Sequence, residues 1–192
     1  KIQYGTSMVY PLSANGSHVS AVPNHQVARM TSLKMRGEVA AFGTFGYELD
    51  STKLSEKEKV IVREQVAQVK RWQTLIHQGD FFRLKSPFEG NTTAWMVVAP
   101  DKSEALVGVY HVLAKPNPAY ERILLEGLDT DALYQIDGAE RARYGDDLMQ
   151  IGLVLGGNYI GRAQDYWGRS MPGDFSSQLY HLQKIDKSED DG

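Results

Sequence analysis

The sequence contains no cysteine, which excludes disulfide bonds and metal sites built from thiolates. A cysteine-free chain fits a reducing compartment, although many secreted bacterial proteins also lack cysteine. On this composition we expect a cytoplasmic protein.

Long hydrophobic runs and an excess of basic residues are also missing. No apolar stretch reaches the roughly 18 residues that a membrane-spanning helix needs. The formal net charge is −3 and the isoelectric point is about 6.0, so no surplus of lysine and arginine is available to neutralise nucleic-acid phosphates. These two features argue against a membrane protein and against a nucleic-acid-binding protein.

The first residues carry neither a start signal nor a leader. The chain opens on "KIQYGTSMVYPL", without an initiator methionine and without a helix-start signal. A basic segment followed by an apolar one, which would indicate a signal peptide, is not visible either. We expect the chain to be the last part of a longer protein.

The sequence pattern of residues 1–79 predicts a strand followed by helices. "SHVSAV" at 17–22 is short and partly alternating, and Pro23 with Asn24 ends it. Residues 31–49 carry apolar and small residues at helical spacing, although three glycines weaken them as an isolated helix. Because one strand cannot make a sheet, we interpret this part as the end of a larger α/β domain.

Residues 55–78 give the clearest helix in the sequence. Ser55 and Glu58 form a capping box, in which each residue satisfies a backbone N–H of the other. Apolar residues then recur every three or four positions and predict one buried stripe, formed by Val62, Val66, Val69, Trp72 and Ile76.

After Gly79 the pattern changes to short strands. "TAWMVVAP" and "SEALVGVYHVL" flank a polar turn and predict a hairpin. "RILLEGL", "ALYQI", "DLMQIGLVL" and "SSQLYHLQKI" follow as further predicted strands, separated by turns rich in glycine, proline and asparagine. This spacing is typical of an antiparallel β-sandwich. The chain is thus expected to be α/β in its first part and all-β in its second.

Several stretches together resemble a known enzyme family. They are "KIQYGTSMVYPLSANGSHVSAVPNHQ", "RGEVAAFGTFGYELD", "SPFEGNTTAWMVV", "DKSEALVGVY" and "YGDDLM". In this order they resemble the C-terminal part of bacterial α-galactosidases of glycoside hydrolase family 36, over nearly the whole chain. The resemblance implies three segments: the end of a catalytic (β/α)8 barrel at 1–79, an antiparallel β-sandwich at 80–187, and a disordered tail at 188–192.

The resemblance also implies a function. The family releases terminal α-linked galactose from oligosaccharides such as melibiose and raffinose, with retention of configuration and without a cofactor or metal. Retaining enzymes use two carboxylates about 5–5.5 Å apart. Both family motifs that carry them lie upstream of Lys1, so we expect no catalytic residue in this chain and no activity of the chain alone. Its expected partners are α-galactoside oligosaccharides, the upstream part of the same enzyme, and further copies in a homo-oligomer.

Asn24 and His25 are the candidate substrate-binding residues. The resemblance places Val19–Val22 in the last barrel strand, and active sites of such barrels lie at the C-terminal ends of the strands. The segment Pro23–Gln26 would then face the rim of the pocket. There the two side chains either bind sugar hydroxyls or orient the loop that carries the acid/base.

The sequence departs from the family pattern at three positions. Asn15 and Ser17 stand where the family pattern has Met and Ala, and Ala28 stands where it has Gly in "NHQVGR". All three lie near the predicted end of the barrel strand, where they bear on substrate preference.

Other interpretations remain open for the chain and for single residues. The rival to an enzyme fragment is a non-catalytic structural or carbohydrate-binding β-sandwich module. Several other side chains suggest chemistry but also fit an ordinary structural role. Among the polar ones, His18 could be a metal ligand, Asp146 and Asp147 a carboxylate pair, and Glu48 and Asp50 catalytic acids. Among the aromatic ones, Trp72 and Trp95 could stack on a sugar, and Trp167 with Tyr166, in a polar loop, could contact a sugar or another subunit. We expect Trp72 and Trp95 in the core, and Asp146–Asp147 in a turn that leads into a strand.

Overall fold

The computed structural model describes residues 1–114, 121–155 and 173–186. Trp167 with Tyr166, and the predicted tail at 188–192, lie outside these residues. None of the described helices is long and apolar enough to cross a membrane.

The chain divides into two compact units, Lys1–Gln78 and Gly79–Gly192. The described elements of the first unit are α1 (Ile2–Thr6), β1 (Gly16–Ser20), α2 (Leu33–Ala40), β2 (Thr44–Glu48) and α3 (Glu56–Gln78), with 3₁₀ turns at Leu12–Ala14 and Ser51–Lys53.

The two strands of the first unit are parallel, and a helix lies between them in the chain. The predicted single helix over 31–49 is therefore wrong in its second half, because α2 ends at Ala40 and the chain returns as β2. The prediction that Val19–Val22 is the last strand is also wrong, since β1 ends at Ser20 and β2 follows it.

The long helix α3 begins as its capping box predicts. The Glu58 carboxylate accepts a hydrogen bond from the Ser55 backbone N–H at 2.9 Å, and the Ser55 hydroxyl oxygen accepts one from the Glu58 N–H at 3.3 Å. Trp72 and Ile76 of the predicted stripe are buried, whereas Val66 and Val69 are only half-buried. The stripe is rotated slightly, so that Gln65 lies on its buried side.

Gln65 connects α2, α3 and β2. Its amide nitrogen donates to the Leu33 carbonyl at 2.9 Å, and its amide oxygen accepts from the Tyr47 hydroxyl at 2.8 Å. A Cβ at Gly37 would lie 2.2 Å from the same amide nitrogen, so α2 approaches α3 this closely only with glycine at that position. A small apolar cluster of Val19, Leu33 and Ala40 completes the packing of the helices on the strands.

The second unit is built almost entirely from strands. Its described elements are β3 (Asp80–Lys85), β4 (Thr92–Val98), β5 (Glu104–His111), β6 (Glu121–Ile123), β7 (Leu133–Ile136), β8 (Arg143–Tyr144), α4 (Gly145–Gln150), β9 (Leu153–Leu155) and β10 (Ser176–Ile185).

Six of these strands form one antiparallel sheet, in the order β3-β4-β5-β10-β7-β8, and β6 pairs with β9 in a second, two-stranded sheet. Residues from both sheets form a common core; its largest fully buried members include Tyr134, Tyr180, Met96, Ile123 and Leu153. The predicted hairpin of β4 and β5 is confirmed. Trp95, packed against Tyr110 at 5.0 Å between ring centroids, is buried as expected.

In the second unit one strand was missed and one sequence prediction is wrong. Strand β3 was not expected, and its alternation is weak because all but its first residue are half-buried. Asp146 and Asp147 belong to the short helix α4 rather than to a turn leading into a strand. Arg143 explains the helix, because its Nε donates to Asp147 Oδ2 at 2.5 Å and its Nη1 to the Gly152 carbonyl at 2.9 Å.

Candidate functional site

The two parallel strands of the first unit end at the same edge. Their register pairs Ser20 of β1 with Glu48 of β2, so the residues that follow each strand leave the sheet side by side. Pro23, Asn24 and His25 follow β1 by a few residues and therefore belong to this edge, which we call the strand-end rim.

Asn24 shapes the loop after β1. Its side-chain oxygen accepts hydrogen bonds from the backbone N–H groups of Gln26 at 3.0 Å and Val27 at 3.2 Å. Its own backbone N–H donates to the Arg29 carbonyl at 3.0 Å, and its carbonyl accepts from Ala28 at 2.8 Å. The loop therefore turns around Asn24, which commits the amide oxygen of this side chain to the local backbone.

His25 sits inside that turn with its side chain exposed. Because the Asn24 side chain holds the backbone of the residues that follow it, it also sets the position of the His25 side chain. No group of three or more His, Asp or Glu side chains that could hold a metal ion occurs within the described part of the chain.

Arg36 holds the end of β1 and was missed in the sequence. Its Nη1 donates to the Ser20 carbonyl at 2.5 Å, which ties α2 to the last residue of the strand. Burial lowers the pKa of the Arg36 guanidinium, and the Glu58 carboxylate opposes this shift. Nothing in the sequence singles out Arg36, because an arginine on a helix is ordinary and its partner is a backbone atom sixteen residues away.

The remaining acidic and histidine candidates occupy different places. Glu48 ends β2 rather than a helix, and its side chain is exposed. Asp50 caps the following 3₁₀ turn, with its Oδ1 accepting from the Thr52 N–H at 3.0 Å and the Thr52 hydroxyl at 2.6 Å. His18 lies across Gly46 of β2, with its Cδ2 only 2.9 Å from where a Cβ at Gly46 would be.

Comparison with known families gives two consecutive matches. Residues 1–79 match the family described as Melibiase, and residues 92–182 match the Glycosyl hydrolase family 36 C-terminal domain. The chain belongs to glycoside hydrolase family 36. It corresponds to the C-terminal part of these proteins: the end of the barrel followed by the β-sandwich.

Curated relatives agree with this family. The chain is 56% identical over 155 residues to "Alpha-galactosidase AgaA" of Geobacillus stearothermophilus, a match covering 81% of this chain and 21% of the relative. It is 39% identical over 185 residues to "Alpha-galactosidase Mel36A" of Lactobacillus acidophilus, covering 96% of this chain and 23% of the relative. The chain thus spans less than a quarter of the length of these curated relatives.

Solved structures agree as well. The crystal structure of AgaA from Geobacillus stearothermophilus matches with a TM-score of 0.86 and 49% identity, covering 96% of this chain and 24% of that one. The α-galactosidase from Lactobacillus brevis matches with a TM-score of 0.87 and 41% identity, covering 97% and 24%. A variant of AgaA has been solved in complex with raffinose.

Proposed function

We propose that the full-length protein containing this chain is a retaining α-galactosidase, which hydrolyses terminal α-linked galactose. The observation that carries the proposal is the succession of the two family matches along one chain, supported by 56% identity to an α-galactosidase. The nucleophile and the acid/base belong, in this proposal, to the barrel part upstream of Lys1. This chain then supplies the closing elements of the barrel, the strand-end rim and the β-sandwich.

Asn24 and His25 are the proposed substrate-binding residues of this chain. The support is their position on the strand-end rim, because the active site of a (β/α)8 barrel lies at the C-terminal ends of its strands. The Asn24 amide oxygen accepts hydrogen bonds within the loop, so the amide nitrogen is the group that this side chain can offer to a sugar, as a donor. His25 is exposed and carries a donor and an acceptor in its neutral form, which suits a sugar hydroxyl.

The proposed substrates are galactose-terminated oligosaccharides of the melibiose and raffinose type. Variants of AgaA have been solved with raffinose and with stachyose, and this chain shares about half of its aligned residues with them. We extend the same substrate class to the full-length protein.

The upstream part of the same enzyme is the proposed partner of the first unit. The support is the number of large apolar side chains that are exposed in this unit, including Ile2, Met8, Val9, Tyr10 and Met30, because exposed apolar surface often marks a contact with another part of a protein. Homo-oligomerisation of the full-length protein and a cytoplasmic location are further parts of the proposal. Light scattering and cell fractionation test them.

Hydrolysis by the full-length protein tests the proposed function. We expect turnover of nitrophenyl α-galactoside and raffinose, with α-galactose as the first product seen by NMR. A His25→Ala variant should raise KM, whereas Gln26→Ala, which changes an exposed side chain in the same loop, should leave KM unchanged. Absence of hydrolysis would favour the rival interpretation, a structural or carbohydrate-binding module, and a first product of inverted configuration would contradict the retaining mechanism.

A further inference from the structure

The strand pair β1–β2 has two different faces. On one face, Val19 and the partly buried Phe45 and Tyr47 pack against the helices α2 and α3. Residues of the other face alternate with these, and no helix of the described part of the chain packs on them. They are Gly16, His18 and Ser20 on β1, in register with Thr44, Gly46 and Glu48 on β2. In a (β/α)8 barrel the helices lie outside, so the helix-free face is the face toward the barrel interior.

Two large polar side chains stand on this face, at different heights. His18 is in the middle of β1, where it fills the space above Gly46. Glu48 is one step closer to the C-terminal edge, opposite the small side chain of Ser20. Of the two, only Glu48 reaches the end of a strand, which is the level at which barrel enzymes bind their substrates.

Within the described residues, no side chain or backbone group occupies the carboxylate of Glu48. It is exposed and has no hydrogen-bond or ion-pair partner among them. Arg36, the cation that reaches the end of β1, donates to the Ser20 carbonyl, and the carboxylate that acts on it is Glu58. The next acid along the chain, Asp50, is engaged by Thr52. Inside a closed barrel an ionised carboxylate needs several hydrogen bonds to offset its lost hydration.

We infer that Glu48 is a substrate-binding carboxylate of the galactoside pocket, where its two oxygens accept hydrogen bonds from neighbouring sugar hydroxyls. A pair of hydroxyl groups on one sugar ring matches the two oxygens of a carboxylate, and such charge-assisted hydrogen bonds are the strong ones. This inference rests on the proposed function. It adds a residue on β2 to the rim residues on the loop after β1.

The test compares Glu48→Gln with Asp50→Asn in the full-length protein. Both variants remove one negative charge at nearly constant volume and lie two residues apart. The readouts are kcat and KM for nitrophenyl α-galactoside and raffinose, the thermal midpoint, and the inhibition constant of 1-deoxygalactonojirimycin, a compound with which a variant of AgaA has been solved. We expect Glu48→Gln to raise KM and the inhibition constant about tenfold or more, with an unchanged midpoint, and Asp50→Asn to change neither constant.

A structural role for Glu48 gives a different result. If the carboxylate only pairs with a cation of the upstream barrel, Glu48→Gln lowers the thermal midpoint and leaves KM and the inhibition constant unchanged, which overturns the inference. If Glu48→Gln does not fold, Glu48→Asp replaces it, because this variant keeps the charge and shortens the side chain. An unchanged KM and inhibition constant in Glu48→Asp would also overturn the inference. An active wild type with unaffected variants contradicts this inference alone, whereas an inactive wild type contradicts the proposed function as well.

Discussion

At the scale of single residues, Asn15, Ser17 and Ala28 each carry a local cost in the structure. Asn15 and Ser17 are buried, and the Asn15 amide nitrogen and the Ser17 hydroxyl have no hydrogen-bond partner among the described residues. Ala28 has a φ of 50°, in the left-handed region that favours glycine. Met, Ala and Gly, the residues that the resemblance leads us to expect at these positions, would avoid each cost.

Ala28→Gly should stabilise the protein. The left-handed conformation costs alanine about 1–2 kcal/mol, which glycine does not pay. The greater freedom of glycine in the unfolded chain cancels about half of the stability gained in this way. We expect a net gain of about 0.5–1 kcal/mol in the free energy of unfolding, measured by thermal or urea denaturation of the full-length protein. Ala67→Gly, in the exposed middle of α3, is the matched control and should lose about 1 kcal/mol. Equal losses in both variants would show that Ala28 is not strained.

Ser17→Ala should also stabilise, because it removes a buried hydroxyl without a partner. An unsatisfied buried polar group costs about 1–3 kcal/mol, and we expect a gain of about 1 kcal/mol. Ser7→Ala is the opposite case, since the buried Ser7 hydroxyl donates to the Tyr4 carbonyl at 2.6 Å. It should cost about 1 kcal/mol. Denaturation curves in which Ser17→Ala is the more damaging of the two would mean that the Ser17 hydroxyl is bonded in solution.

At the scale of elements, local patterns predicted some boundaries and missed others. The start of α3 was predictable because a capping box is a short-range signal that depends on two residues three apart. The change from α2 to β2 was not, because β2 exists by pairing with β1, about 28 residues earlier in the register. Gly43, between the two elements, has room for no side chain beside Ser17 and the Asn15 carbonyl, and only the folded chain reveals this crowding.

The local structure of the candidate site was predictable in part. A short strand followed by Pro and Asn predicts a turn at Asn24, and the loop has one, whereas the choice of Asn24 and His25 as substrate-binding residues depends on the resemblance to the family and stays a prediction. Arg36 and Glu48 do not stand out, since the sequence gives neither the carbonyl that Arg36 reaches nor the register that sets Glu48 beside Ser20.

A cluster at the ends of four strands in the second unit predicts acid sensitivity. Thr92 donates its one hydroxyl proton to Glu121 Oε2 at 2.7 Å, so the contact of 3.1 Å with His111 Nδ1 requires that His111 donate. Lys85 pairs with the other oxygen of Glu121. Burial lowers the pKa of His111, with Glu121 opposing and Lys85 adding to the shift. Burial raises the pKa of Glu121, but the hydrogen bonds from Lys85 and Thr92 outweigh it and leave this pKa below its usual value.

Both shifts act in the same direction. A folded-state pKa below the unfolded value means that the folded protein binds fewer protons, so stability is present above the unfolded pKa and is lost as the pH falls through the folded one. For His111 this loss begins below about pH 6.5, and for Glu121 below about pH 4.5. His111→Asn keeps a donor near Nδ1 but does not titrate.

We therefore expect the thermal midpoint of the wild type to fall more steeply than that of His111→Asn between pH 7.5 and pH 5, measured on the full-length protein. Lys102→Ala, at an exposed turn between β4 and β5, serves as the control and should parallel the wild type. Parallel curves for wild type and His111→Asn would contradict the lowered pKa of the folded state.

At the scale of the whole molecule, the two-part architecture followed from the change of hydrophobic period near Gly79. Period and turn signals predict that strands exist, but they do not give their neighbours. The longest of the described strands, β10, pairs with β5 and β7 rather than with β9, the described strand that precedes it. Such pairings depend on packing between strands that are far apart in the sequence, as in the core, where Tyr180 of β10 and Tyr134 of β7 are fully buried.

The central proposal is that this chain completes a family 36 enzyme whose catalytic carboxylates lie in the upstream part of the protein. Hydrolysis of nitrophenyl α-galactoside tests it most directly, measured for the isolated chain, for the upstream part of the protein, and for the two produced together. The account predicts no turnover by either part alone. When both parts are produced together, it predicts turnover at a rate similar to that of the full-length protein. Turnover by the isolated chain, or none by the full-length protein, would contradict it.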